Sequence, residues 1–256
     1  GPGKTTSCRR IATQLSVLGF KPLQISLDDY FVDREHTPKD ASGNYDFECI
    51  EALDLDFFNY QMKELLSGAE IELPRFDFIS GKRVQSGNRL KMKANSILIV
   101  EGIHALNPHL TDKIEAKNKY NVFVSAMTQL ALDRHNLISS SDNRLLRRIV
   151  RDNNYRGYSA QDTILRWDSV RSGEEKHIFP YQENADSIFN SSLLYEIGVL
   201  KPTAEKLLFE VAQNSPAYSE ARRLQNFLSE FKSIKTDFIP PTSIMREFLG
   251  GSSFAY

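Results

Sequence analysis

Ile97-Leu98-Ile99-Val100-Glu101-Gly102 is a continuous apolar run that stops at a carboxylate and a glycine. A short run of this kind, without polar alternation, reads as a strand buried in a parallel sheet. The C-terminal end of such a strand is where open α/β sheets bind ligands, and a carboxylate there can hold a nucleotide's Mg²⁺. Residues 23–27 form a second strand-like run, and it too ends in acids, Asp28-Asp29. Asn121-Val122-Phe123-Val124 is a third. Helical spacing fits residues 7–18, 51–67, 127–153, 159–172 and 199–213, with Gly157 separating the third from the fourth. Strands alternating with helices give an α/β layer architecture. Residues 71–78 and 83–92 are β-like and flank Ser80-Gly81-Lys82, which predicts a hairpin. Residues 33–46, with Pro38 and Gly43, read as a loop.

Near the N-terminus, Gly3-Lys4-Thr5-Thr6 opens a helix and matches the second half of a phosphate-binding loop. Backbone N–H groups at a helix start cradle phosphate oxygens, the lysine reaches the β- and γ-phosphates, and the next hydroxyl binds Mg²⁺. The full spacing places another glycine five positions before Gly3, whereas only Gly1 and Pro2 precede it in this sequence. Four residues alone are a weak signal, and an ordinary glycine-capped helix start reads the same way. Followed in order by acids at two strand ends, they make a much more specific pattern.

The rest of the composition sets bounds. The chain has 256 residues and a formal net charge of −1, so a large basic face for duplex nucleic acid is not expected. Cys8 and Cys49 make no disulfide framework and no metal-ligand spacing. No apolar run reaches the ~18 residues needed to cross a bilayer. A cytoplasmic location without membrane association is the expectation, and a homo-oligomer is compatible with the sequence.

Several blocks, in one order, resemble the phosphoribulokinase/uridine kinase family of P-loop kinases. They are Ser26-Leu27-Asp28-Asp29-Tyr30-Phe31, residues 47–54, Arg75-Phe76-Asp77-Phe78, Ile99-Val100-Glu101-Gly102-Ile103, and residues 147–157. The resemblance spans about residues 1–213. It implies a P-loop NTPase three-layer fold with a mostly parallel sheet, a small β-hairpin substrate subdomain at about 71–92 and a helical lid at about 134–158. Residues 214–256 read as a C-terminal helical appendage.

Carried position by position, the resemblance implies these roles. Gly3, Lys4, Thr5 and Thr6 bind ATP, with Lys4 on the transferring phosphate. Asp28 is the base at the acceptor hydroxyl, and Thr5, Glu101 and Asp28 form the Mg²⁺ site. Glu48 holds ribose hydroxyls where the family has an aspartate. Phe31, Phe47, Phe76 and Phe78 wall the pocket of a nucleoside-like acceptor. Arg148 faces that acceptor, while Arg151 and Arg156 close over the phosphates. Gly81 stands where pyrimidine kinases of the family carry a base-reading histidine, and Phe76 where a tyrosine is usual. Both departures weaken the case for a polar base.

The chemistry fits the residue types. Phosphoryl transfer needs positioning and charge compensation, and arginine's planar fork suits phosphate. Arg144, Arg147, Arg148 and Arg151 fall at one-face helical spacing, with Leu145, Leu146, Ile149 and Val150 on the other side. A solvated basic face would look the same. His36, His104, His109, His135 and His177 form no metal spacing and read as structural or surface residues, and Trp167 as a packing anchor. A kinase for another small hydroxyl compound, such as a sugar phosphate, and a non-catalytic nucleotide-binding module remain as alternatives.

Overall fold

The structure, a computed structural model, describes residues 3–39, 43 and 45–254. In chain order the elements are α1 (Lys4–Val17), β1 (Lys21–Ser26), α2 (Leu55–Leu66), β2 (Glu70–Asp77), β3 (Lys82–Lys91), β4 (Ser96–Glu101), β5 (Val122–Ser125), α3 (Ser140–Arg156), α4 (Ala160–Leu165), α5 (Trp167–His177), β6 (Ser187–Asn190), α6 (Glu196–Phe209), α7 (Tyr218–Ser229) and α8 (Arg246–Leu249). The chain divides into two compact units. One comprises residues 1–7, 124–171 and 188–256, and the other residues 8–123 and 172–187.

In the second unit, β1 and β4 run parallel with Ser26 opposite Glu101, so both strands end at the same level. β2 and β3 form the expected antiparallel hairpin, closed through the turn at residues 78–81. Its core gathers Ile25, Tyr30, Phe58, Met62, Leu65 and Phe76. Helix α2 begins at Leu55, later than the pattern suggested, because the Asp54 side chain caps it by accepting from the Phe57 N–H. The same carboxylate holds Arg83 of β3 at 2.7 Å, tying the hairpin to the helix start.

The first unit is mainly helical. Leu145, Leu146, Ile149 and Val150 of α3 share a core with α6, α7 and α8, including Leu200, Leu224 and Phe248. The segment 214–256 thus contributes two helices to this core. The helix expected over 127–153 starts only at Ser140. Ahead of it, Asp133 accepts from the His135 and Asn136 N–H groups, a local turn that competes with helix. Ser139 then caps α3. The helix expected over 159–172 is broken at Arg166 into α4, which has a reciprocal Ser159–Asp162 capping box, and α5.

A single mostly parallel sheet was expected. Among the described residues there are instead three two-stranded sheets, β1–β4, β2–β3 and β5–β6. β5 and β6 run parallel, since Ser187 bonds Asn121 and Ser191 bonds Ser125. β4 is half-buried along its whole length rather than buried. Its Leu98 and Val100 pack at the margin of the second unit's core.

Candidate active site

The candidate residues fall into two groups, each within one unit. In the second unit the carboxylates cluster at the C-terminal ends of β1 and β4. The Ser26 hydroxyl donates to Glu101 Oε1 at 3.4 Å, and the Asp28 N–H donates to the Ser26 hydroxyl at 3.3 Å. Asp28 lies in a 3₁₀ turn over Leu27–Tyr30, and its side chain is exposed while Glu101 is half-buried. The donors here are all oxygen, the ligand type that Mg²⁺ takes. Asp28 and Asp29 are adjacent but do different work. Asp29 accepts from the Phe76 N–H at 3.2 Å and braces the hairpin, and burial holds its carboxyl above the usual range.

The four phenylalanines do come together. The Phe31 ring lies 6.1 Å from Phe47, 5.6 Å from Phe76 and 6.4 Å from Phe78. Phe31 and Phe76 are buried, so they support the cluster, and Phe47 and Phe78 present its open surface. Glu48 packs on α5, where a Cβ added to Gly173 would meet its Cβ and Cγ at 3.0 Å. One turn further along α5, His177 sits edge-to-face on His104, ring centroids 6.4 Å apart. His104 is 2% exposed, with both ring nitrogens buried. Burial, reinforced by His177, pulls its pKa down to about 4, so the imidazole is neutral.

The hairpin turn holds a residue that the sequence reading passed over. Gly81 adopts φ +70°, and a Cβ there would fall 2.7 Å from Arg34 Nε. The Arg34 N–H donates to the Gly81 carbonyl at 2.8 Å, and Nη2 donates to the Phe78 carbonyl at 2.6 Å. An arginine therefore occupies the space over Gly81. No local pattern marked it, because Arg34 lies 47 residues before Gly81 in a stretch read as loop.

In the first unit, Gly3 precedes α1 and its N–H donates to Glu247 Oε1 at 3.1 Å. The Thr6 hydroxyl donates to Glu247 Oε2 at 2.6 Å. Lys4 and Thr5 lie between them in the first turn of α1. The arginines of α3 separate into two sets. Arg148, Arg151 and Arg156 converge on the buried Asp152 carboxylate at 3.2, 3.1 and 3.5 Å. Arg147 does not share their face. It is fully buried, pairs with Glu196, and donates to the Ser191 carbonyl at 2.7 Å. Asn143 and Ser192 also donate to Glu196. The single basic face expected over residues 144–151 is thus corrected, because a buried acid on α6 draws Arg147 into the core.

The sequence profile described as the Phosphoribulokinase / Uridine kinase family matches residues 1–195. A uridine kinase of Staphylococcus aureus strain JH9 is 30% identical over 190 residues, 73% of this chain and 82% of that one. A uridine kinase of Halobacterium salinarum is 27% identical over 190 residues, 73% of this chain and 75% of its own. A crystal structure described as a fructose transport system kinase of Silicibacter sp. TM1040 shares the fold with a TM-score of 0.50 and 17% identity, over 74% of this chain and 85% of that one. No helix among the described residues is long and apolar enough to cross a membrane.

Proposed function

The chain belongs to the phosphoribulokinase/uridine kinase family, a family of kinases that phosphorylate an alcohol group, and from that premise we propose that its acceptor is a nucleoside-like compound and its donor Mg²⁺·ATP. The observation that carries this reading is the pair of acids, Asp28 and Glu101, at adjoining ends of two parallel strands beside the phenylalanine cluster.

Each residue has a role that its surroundings support. Asp28, exposed and unburdened by the hairpin contact that occupies Asp29, takes the proton of the acceptor hydroxyl. The freed oxygen attacks the γ-phosphorus as the bond to the bridging oxygen breaks and ADP leaves. Asp28 and Glu101 would hold Mg²⁺, which when bound compensates phosphate charge. Lys4 and the N–H groups of Gly3, Thr5 and Thr6 bind the phosphates. Arg148, Arg151 and Arg156 meet ligand oxygens with guanidinium forks. Glu48 accepts from paired hydroxyls of a ribose-like group, and Phe47 and Phe78 stack on the ring attached to it.

A phosphorylated sugar is the second reading, favoured by the Arg34 guanidinium over the hairpin turn, a donor suited to anionic oxygen. The two separate in one kinetic panel. Ribonucleosides, their deoxyribose analogues and sugar phosphates are offered with Mg²⁺·ATP, and kcat/KM is measured for each. Loss of a hydroxyl opposite Glu48 is expected to cost about 1–3 kcal/mol in kcat/KM. Phosphorylation of sugar phosphates with no turnover of any nucleoside would overturn the nucleoside assignment.

A further inference from the structure

A loop that receives nucleotide phosphates must present its amide and hydroxyl donors outward. Here they are covered. Gly3, Thr6 and Ser7 are buried, and what covers Gly3 and Thr6 is the C-terminal segment. Ile244 lies so close that a Cβ on Gly3 would fall 2.5 Å from its Cδ1. Three residues on, the Glu247 carboxylate takes the Gly3 N–H on one oxygen and the Thr6 hydroxyl on the other. An anion bound by two donors at the first turn of a helix is the arrangement that a phosphate adopts there.

The segment is firmly anchored. Met245 and Phe248 are fully buried in the first unit's core. Phe248 lies beneath the Arg147 guanidinium, 5.3 Å from its ring centroid, and its carbonyl accepts from Asn154 at 2.8 Å. Arg246 donates to the Thr236 and Ile239 carbonyls at 3.0 and 2.6 Å. Residues on both sides of Glu247 are therefore fixed, and the carboxylate is delivered to α1 by a rigid mount. Its own side chain is half-buried.

We propose that Glu247 is a built-in competitor of the nucleotide: its carboxylate holds the phosphate position on Gly3 and Thr6, and ATP binds by displacing it. The proposal rests on the reading of Gly3–Thr6 as a phosphate-binding loop. ATP affinity is then reduced by the population of the covered state, since ligand sees only the competent fraction. A charge-assisted pair of hydrogen bonds makes that fraction small.

The test is calorimetric titration of wild type, Glu247→Gln and Glu247→Ala with Mg²⁺·ATP and, separately, with inorganic pyrophosphate. Thermal melts check that each variant is folded. Glu247→Ala is expected to bind both ligands about ten- to a hundredfold more tightly than wild type, with Glu247→Gln in between. Glutamine keeps the shape and an acceptor oxygen but loses the charge, so it also serves if the alanine variant unfolds. Affinity equal to wild type in both variants would overturn the competitor while leaving the kinase reading intact. Weaker binding in the variants would overturn it too, by making Glu247 a support of the loop. Binding of neither ligand by wild type or variants would remove the phosphate-binding reading and the competitor with it.

Discussion

Arg147 offers a sharp test of how the first unit is held together. Its guanidinium is 0% exposed and Glu196, its partner, 1% exposed. Substitution Arg147→Ala removes the Nε donor, 3.0 Å from Glu196 Oε2, and the Nη2 donor to the Ser191 carbonyl. Asn143 and Ser192, both neutral, remain on the carboxylate. Breaking a buried pair from one side typically costs about 3–5 kcal/mol, because the abandoned charge has no water to turn to. With two neutral donors left in place, a loss of about 3 kcal/mol is expected. Replacing both members, Arg147→Met with Glu196→Gln, removes both charges and should cost under about 1.5 kcal/mol. Trp167, the chain's one tryptophan, packs in the same core and lies under Arg144 at 5.9 Å, so its fluorescence in a urea titration follows this unit. A single-variant loss below about 1.5 kcal/mol, or a double variant no better than the single, would refute the buried-pair account.

Asp28→Asn is expected to lower kcat by about 10²–10⁴-fold with ATP binding largely intact, and turnover within tenfold of wild type would unseat it as the base. Arg34→Met is expected to reduce kcat/KM for the preferred acceptor by about tenfold, the size of one lost hydrogen bond to a charged group, and an unchanged value would leave Arg34 as a brace of the Gly81 turn. His104 makes stability pH-dependent. Its folded pKa of about 4 lies below that of an unfolded histidine, so the unfolded chain takes up the proton first as pH falls from about 6.5. Stability is fully present above that pH and declines by up to about 1.4 kcal/mol per pH unit down to about 4, where the folded imidazole also charges. The difference in denaturant midpoint between wild type and His104→Phe should shift in the variant's favour as pH falls across this window, and parallel curves would show that His104 does not titrate as described.

Much of the second unit was legible because its signals are local. The apolar run before Glu101, the acids after residue 27 and the glycine turn at residues 80–82 each encode their geometry within a few residues, and the two strand-end acids and the hairpin follow. The phenylalanine cluster was legible through resemblance, though not which rings would be buried. The misjudged elements have two causes, partners far along the chain and short side-chain turns. Arg147 reads as basic surface until Glu196, 49 residues away, is seen beside it. The helix expected from residue 127 gave way to side-chain turns at Asp133 and Ser139 that periodicity does not register. Arg34 over Gly81 and Glu247 on Gly3 could not be found from spacing, since nothing in either loop or tail indicates what it covers.

Asp152 makes one common ion pair with three arginines, leaving two net positive charges in the group. The carboxylate is buried at 3% exposure, so it keeps the three guanidiniums gathered where they would otherwise repel one another. For Arg151 and Arg156, proposed above to meet phosphate, this changes the kind of binding event. An arriving phosphate exchanges with a partner already in place, and a departing one is replaced as it leaves. Exchange yields less net affinity than capture by bare cations, but it lowers the barrier to release. In a kinase whose product must depart before the next turnover, that bias toward letting go serves rate rather than tightness.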